Sequence, residues 1–137
     1  IVRKEDERPR LTSAGQDMFQ FMNLSAFADH ILVHEHALAK IDTAMPLDKA
    51  ALIGCAVTTG VGAVMRTANI ELGSSILVVG CGAVGLSTIQ GARLAGALNI
   101  IAVDINAARL EMATHFGATH TINSSQHDIL EKVMEIT

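Results

Sequence analysis

The stretch SILVVGCGAVG, Ser75 to Gly85, constrains this chain more than any other. SILVVG is a continuous apolar run, as expected of a strand buried on both faces of a parallel sheet. AVGLSTIQGARLAG repeats apolar residues at helical spacing. Between them Gly80, Gly82 and Gly85 fall in the pattern G-x-G-x-x-G. Gly80 allows the tight turn, Gly82 lets the backbone approach a pyrophosphate with no Cβ in the way, and Gly85 lets the helix lie close to the strand. The helix N-terminus then offers free N–H groups and a partial positive charge to phosphates.

The next apolar run, NIIAVD, closes on Asp104, 19 residues beyond Gly85. An acid at that distance accepts hydrogen bonds from the hydroxyls of an adenosine ribose, and its charge repels a 2′-phosphate, so NAD is expected over NADP. A tight strand-to-helix turn with no ligand is the bland alternative. A methyltransferase would carry an acid just ahead of the first glycine, where Val78 and Val79 stand.

NAARLEMATHFG reads as a second helix ending at Gly117, THTIN as a third strand, and SSQHDILEKVMEI as a third helix with Ser125 as its cap. Strand and helix alternating at this spacing imply right-handed crossovers and a parallel sheet, which is an α/β fold. A six-stranded doubly wound sheet needs about three more strands, so half of it is missing. Upstream, Ser25 to Lys40 alternates Phe27, Ile31 and Val33 with Asp29 and Glu35, a strand-like period followed by an irregular piece. Pro46 opens a helix that Gly54 can end, a second helical stretch runs from Thr58 through Ala68, and ELGSS breaks the pattern. With Ile1 at its start and a helical pattern at Thr137, the chain is expected to be a segment of something longer.

A net charge of -4 and a pI near 5.8 argue against a nucleic-acid partner. The basic residues of VRKEDERPR are interleaved with acids, as in a solvated loop. Two cysteines, Cys55 and Cys81, make no disulfide framework and fit a reducing, cytoplasmic setting. No uninterrupted apolar stretch of about 18 residues and no signal-like start is present, so no membrane partner is expected. His30, His34 and His36 share one strand face by parity, but without a fourth ligand they read as solvated rather than as a metal site. Cys81 reads as a small filler, and Cys55 taken alone as a small buried hydrophobe.

Position changes the reading of Cys55. LIGCAVTTGVGAV, followed by GSSILVVGCGAVGLSTIQGARLAGALNIIAVDIN and FGATHTIN, closely resembles the zinc-dependent alcohol dehydrogenases of the medium-chain dehydrogenase/reductase family. The likeness runs from about Phe21 to the end. It implies the first half of a Rossmann sheet over 57–137, preceded over 1–56 by the trailing part of a β-rich, GroES-like catalytic domain. By the resemblance Cys55 corresponds to the last protein ligand of the catalytic zinc, whose upstream ligands lie outside this chain. Thr59 matches a threonine meeting the nicotinamide end. Ala83 and Val84 match loop positions beside pyrophosphate and nicotinamide, Arg109 falls near the adenosine ribose, and Phe21 and Met22 align with the substrate pocket. The implied parent is a homo-oligomer that oxidises an alcohol to an aldehyde or ketone by hydride transfer to NAD, the isolated segment being silent. The alternatives are a non-enzymatic NAD-binding or sensing module, for which the glycine loop and Asp104 suffice, and a zinc-free reductase of the same family.

Overall fold

A computed structural model describes residues 11–20 and 29–137. Phe21 and Met22 lie outside the described residues. By contacts the chain divides into two compact units, Ile1–Asp42 and Thr43–Thr137, so Cys55 belongs to the same unit as the glycine loop.

In the first unit, β1 (Leu11–Ser13) pairs antiparallel with β2 (Gln16–Met18), Leu11 opposite Met18. Ala14 and Gly15 join them with φ of 50° and 77°, the two-residue turn whose twist suits a hairpin. The strand expected from Ser25 onward is not found in its described part, 29–34. That stretch is almost wholly exposed and has no ladder partner, so its alternation has no face to bury. Instead His34 Nδ1 accepts from the His36 N–H at 3.2 Å and caps a single 3-10 turn, Glu35–Ala37, a local bond that competes with extended pairing.

The second unit begins with one helical run. α1 (Leu47–Leu52) follows Pro46, passes into a π-helical turn over Ile53–Val57, returns to α geometry in α2 (Thr58–Gly62), and widens again over Ala63–Ala68. Gly54 therefore does not end the first helix. The run stops at Asn69, which takes up the left-handed conformation at φ 47°. By length and composition alone this 22-residue run could cross a membrane. Here Gly60 and Val64, one turn apart on one face, are buried against the next helix.

β3 (Ser75–Val79), β4 (Asn99–Asp104) and β5 (His120–Asn123) form a parallel sheet in the order β3-β4-β5, with Val79 opposite Val103 and Asp104 opposite Asn123. Between them run α3 (Ala83–Leu94) and α4 (Ala107–Phe116), and α5 (Ile129–Ile136) follows. Side chains alternate between the two faces, as strands require. Val78, Ile100 and Ala102 pack with Ile89 and Ala92 of α3 and Leu110 and Ala113 of α4. Ile101, Val103 and Ile122 face the other way, onto Ile129, Val133 and Ile136 of α5. Helices thus lie on both faces of β4 and β5, the doubly wound arrangement expected of an α/β fold. β3, expected to be buried on both faces, is covered on one only, with Leu77 and Val79 exposed on the other because α5 packs onto β4 and β5. The cap of α5 differs from expectation: Asp128 accepts from the Glu131 N–H at 3.0 Å. Ser125 is engaged one turn earlier, where Asn123 Oδ1 accepts from both its N–H and its hydroxyl.

Candidate dinucleotide site

The ladder of β3 continues one residue past the strand, with Gly80 N–H donating to Val103 O at 2.7 Å. Gly80 then turns the chain at φ +92°, a left-handed conformation that side chains disfavour. Gly82 is the N-cap of α3, extended at φ -78° and ψ -169°, and a Cβ built on it meets nothing within 4 Å. Gly85 is the opposite case: its Cβ would fall on the Gly80 carbonyl oxygen, with Val78 Cγ1 3.7 Å away. One glycine thus makes the turn, one leaves a space above the loop, and one draws helix onto strand. The N–H groups of Ala83, Val84 and Gly85 precede the first helical bond, Leu86 N–H to Gly82 O at 2.8 Å, and so are the ones an anion at this helix end meets.

Asp104 ends β4 beside this loop and is 7 % exposed. Its Oδ2 accepts from the Cys81 N–H at 2.8 Å and its Oδ1 from the Asn106 N–H at 2.9 Å. The Cys81 and Asn106 bonds hold its carboxyl below the usual carboxylate range; burial opposes them, and Arg109 assists. Arg109 Nη1 lies 3.9 Å from Oδ2 on a side chain that is 60 % exposed, so the pair contributes little energy but places a cation at the rim of the site. Asn106 caps α4, its Oδ1 accepting from the Ala108 and Arg109 N–H groups at 2.9 and 3.4 Å. Its position just ahead of the helix is the sequence signal for that role, which the reading of the motif passed over.

Cys81 is buried under the loop, its Sγ 3.7 Å from Val103 O. Burial first, then the Asp104 charge, push its thiol up, with Arg109 acting the other way. It is a packed, protonated filler. Cys55 is exposed in the π-helical turn, a helix irregularity often found at functional sites. Thr59 is exposed on α2 a turn later. Next to it the Thr58 hydroxyl donates to Ile53 O at 2.6 Å. Among the described residues no group of three or more His, Cys, Asp or Glu side chains is arranged to hold a metal, and His30, His34 and His36 are exposed.

Residues 83–137 match the family model described as zinc-binding dehydrogenase. The chain is 44 % identical over 128 residues to an S-(hydroxymethyl)glutathione dehydrogenase of Saccharomyces cerevisiae, covering 90 % of this chain and 33 % of that protein. It is 42 % identical over 134 residues to alcohol dehydrogenase 2 of Zea mays, covering 96 % of this chain and 35 % of that one. Among solved structures, an alcohol dehydrogenase zinc-binding domain protein from Burkholderia ambifaria superposes with a TM-score of 0.86 at 38 % identity, over 99 % of this chain and 37 % of that one. Benzyl alcohol dehydrogenase from Acinetobacter calcoaceticus superposes with a TM-score of 0.69 at 42 % identity, over 72 % of this chain and 27 % of that one. The chain spans about a third of the length of the curated relatives it matches.

Proposed function

We propose that this chain, by its likeness to zinc-binding dehydrogenases and to the alcohol dehydrogenases above, belongs to the medium-chain dehydrogenase/reductase family and forms the NAD-binding cradle of a zinc-dependent enzyme that oxidises an alcohol. The observation that carries the reading is the open space at Gly82, set between the turn at Gly80 and the close contact at Gly85, with Asp104 held beside it. Such a space, facing the N-terminus of a 12-residue helix, fits a pyrophosphate. The first-turn N–H groups of α3 would hold the phosphates. Asp104, already oriented by two backbone donors, would accept from ribose hydroxyls with its remaining lone pairs, and its charge would turn away a 2′-phosphate. Arg109 would lie along the rim of the ribose site, and Thr59 and Val84 toward the nicotinamide. NAD supplies a hydride acceptor when bound; this chain binds it, orients it and selects it.

For zinc, the donor to which the family resemblance points is the exposed Cys55 thiol. Among the described residues no group of three or more His, Cys, Asp or Glu is arranged to hold a metal, where a catalytic site takes about three protein ligands. Cys55 would therefore serve as a single ligand, its companions contributed from elsewhere in the whole protein. Substrates would be alcohols, with aldehydes or ketones as products. The test is Cys55→Ser in the full-length protein, with zinc measured by elemental analysis and NAD binding by calorimetry. Loss of about one zinc per active site and of turnover, with NAD affinity retained, is expected. Full zinc and full turnover would remove Cys55 from the mechanism and favour a zinc-free reductase. NAD binding in a protein that oxidises no alcohol would favour a binding module.

A further inference from the structure

α2 carries Thr59 and directly follows the turn that carries Cys55, while α3 presents its N-terminus to the glycine loop. Gly60 is buried where these two helices meet. A Cβ built on it would lie 2.5 Å from Val84 O, 2.6 Å from Ser87 Cβ and 2.7 Å from Thr88 N. Carbon atoms in ordinary contact are separated by about 3.5 Å or more, so the shortfall is close to 1 Å. Two of the three atoms are backbone of the first turns of α3 and cannot turn aside. That end of α3 is also pinned from within: Ser87 Oγ donates to Ala83 O at 2.8 Å and Thr88 Oγ1 to Val84 O at 2.9 Å. Gly85 fixes it onto Gly80 from below. A side chain at Gly60 must therefore displace α2 rather than α3. Farther along the same interface Gly91 repeats the arrangement more gently, its Cβ 3.1 Å from Val61 Cα.

We propose that Gly60 is a positioning residue that sets the spacing between α2, with Thr59 and Cys55, and the phosphate-binding end of α3, and so registers the nicotinamide half of the cofactor against its pyrophosphate half. The inference rests on the reading of the glycine loop as a dinucleotide cradle. A displacement near 1 Å matters for such registration, since misplacements of that size cost on the order of a hundredfold in rate.

Gly62 provides an internal control. It lies on the same helix, gains the same helix propensity on substitution by alanine, and has nothing within 4 Å of its Cβ. The test compares two ligands in the full-length protein. ADP-ribose occupies only the pyrophosphate and ribose end, whereas NADH adds the nicotinamide, whose fluorescence reports its surroundings. In Gly60→Ala, NADH affinity is expected to fall by about tenfold with loss of the bound-state fluorescence change, while ADP-ribose affinity stays within about twofold. Gly62→Ala is expected to change neither. A parallel loss of both ligands in Gly60→Ala, or unchanged binding of both, would overturn the proposal, because a merely structural glycine does not separate the two ends of the cofactor. If Gly60→Ala does not fold, Gly91→Ala decides by the same split, with a smaller loss of NADH affinity expected and an unselective or absent change counting against the proposal. Wild-type protein that binds neither ligand would refute the dinucleotide cradle itself.

Discussion

The dinucleotide reading depends most directly on Gly82, where the structure separates folding from binding. At φ -78° and ψ -169° the residue sits in extended backbone open to any side chain, and its Cβ direction is empty to 4 Å. Gly82→Val therefore meets no steric obstacle to folding. The reduced freedom of the unfolded chain favours folding by up to about 1 kcal/mol and the loss of a glycine N-cap opposes it by a similar amount, so stability is expected to stay within about 1 kcal/mol of wild type. Binding is different. A phosphate oxygen must approach the first-turn N–H groups to about 2.9 Å, whereas methyl carbons exclude neighbours closer than about 3.5 Å. The valine would thus hold the pyrophosphate away from the groups that bind it. Losing one or two hydrogen bonds to a charged ligand, each contributing about 1.5–3 kcal/mol, amounts to about 3 kcal/mol in all. That corresponds to a fall in affinity of about a hundredfold. Calorimetric titration of the full-length variant with NAD, beside a urea melt, measures both quantities. An affinity within about threefold of wild type at an unchanged urea midpoint would show that the dinucleotide does not cross this loop. Gly85→Ala is the contrasting perturbation: its Cβ falls on the Gly80 carbonyl, so it should damage the fold before it damages binding.

Asp104→Ser should relax the preference for NAD, because the change removes both the ribose acceptor and the repulsion of a 2′-phosphate; steady-state kinetics with both cofactors would contradict this by showing NAD selectivity intact. The pH dependence follows from the lowered carboxyl of Asp104. A carboxyl lowered in the folded state contributes stability that is full above its unfolded value near 3.9 and is lost as pH falls through the folded value. The stability gap between wild type and Asp104→Asn should therefore narrow in acid, and a gap constant from neutral pH to well below that range would argue against a charged, hydrogen-bonded Asp104. At α5, Asp128→Ala should cost about 0.5–2 kcal/mol in urea melts, and Ser125→Ala less, because the cap is Asp128. A larger cost at Ser125 would reverse that assignment.

The three parallel strands and the helices α3 and α4 were legible because their signals are local and redundant. β3 and β4 are apolar runs bounded by turn residues, β5 is a short HTIN strand that follows the turn at Gly117 and buries Ile122, and Gly117 closes α4 where a left-handed residue is expected. The readings that failed had a local signal overridden by something nearby. At Gly54, glycine reads as a stop, yet the helix widens into π geometry and continues to Asn69. At Ser125 a good capping residue was already bound by Asn123 one turn too early. Between 29 and 34 an alternating pattern lacked both a partner strand and a face to bury. Alternation describes which residues a strand would bury; it does not supply the neighbour that makes a strand stable.

The candidate site was legible for a different reason. Gly80, Gly82 and Gly85 each answer a separate backbone requirement, so three independent constraints coincide in six residues, and the spacing to Asp104 adds a fourth. Gly60 answers a requirement that originates in another helix, and nothing in its own neighbourhood in the sequence distinguishes it from Gly62. The distinction is one of angle. Successive residues turn about 100° around a helix, so Gly60 and Gly62 lie on opposite sides, and Val64 shares the side of Gly60. Once Val64 is recognised as the buried residue of that run, a glycine four positions earlier becomes the point where a second backbone can approach, and α3 is the helix that does. Besides the looser contact at Gly91, the closest approach of the two helices falls on the N-terminal part of α3, beginning at its first turn. That is the turn already drawn down onto the strand by Gly85, so the glycines of α2 and of the loop act on opposite sides of one helix end and fix its position between them.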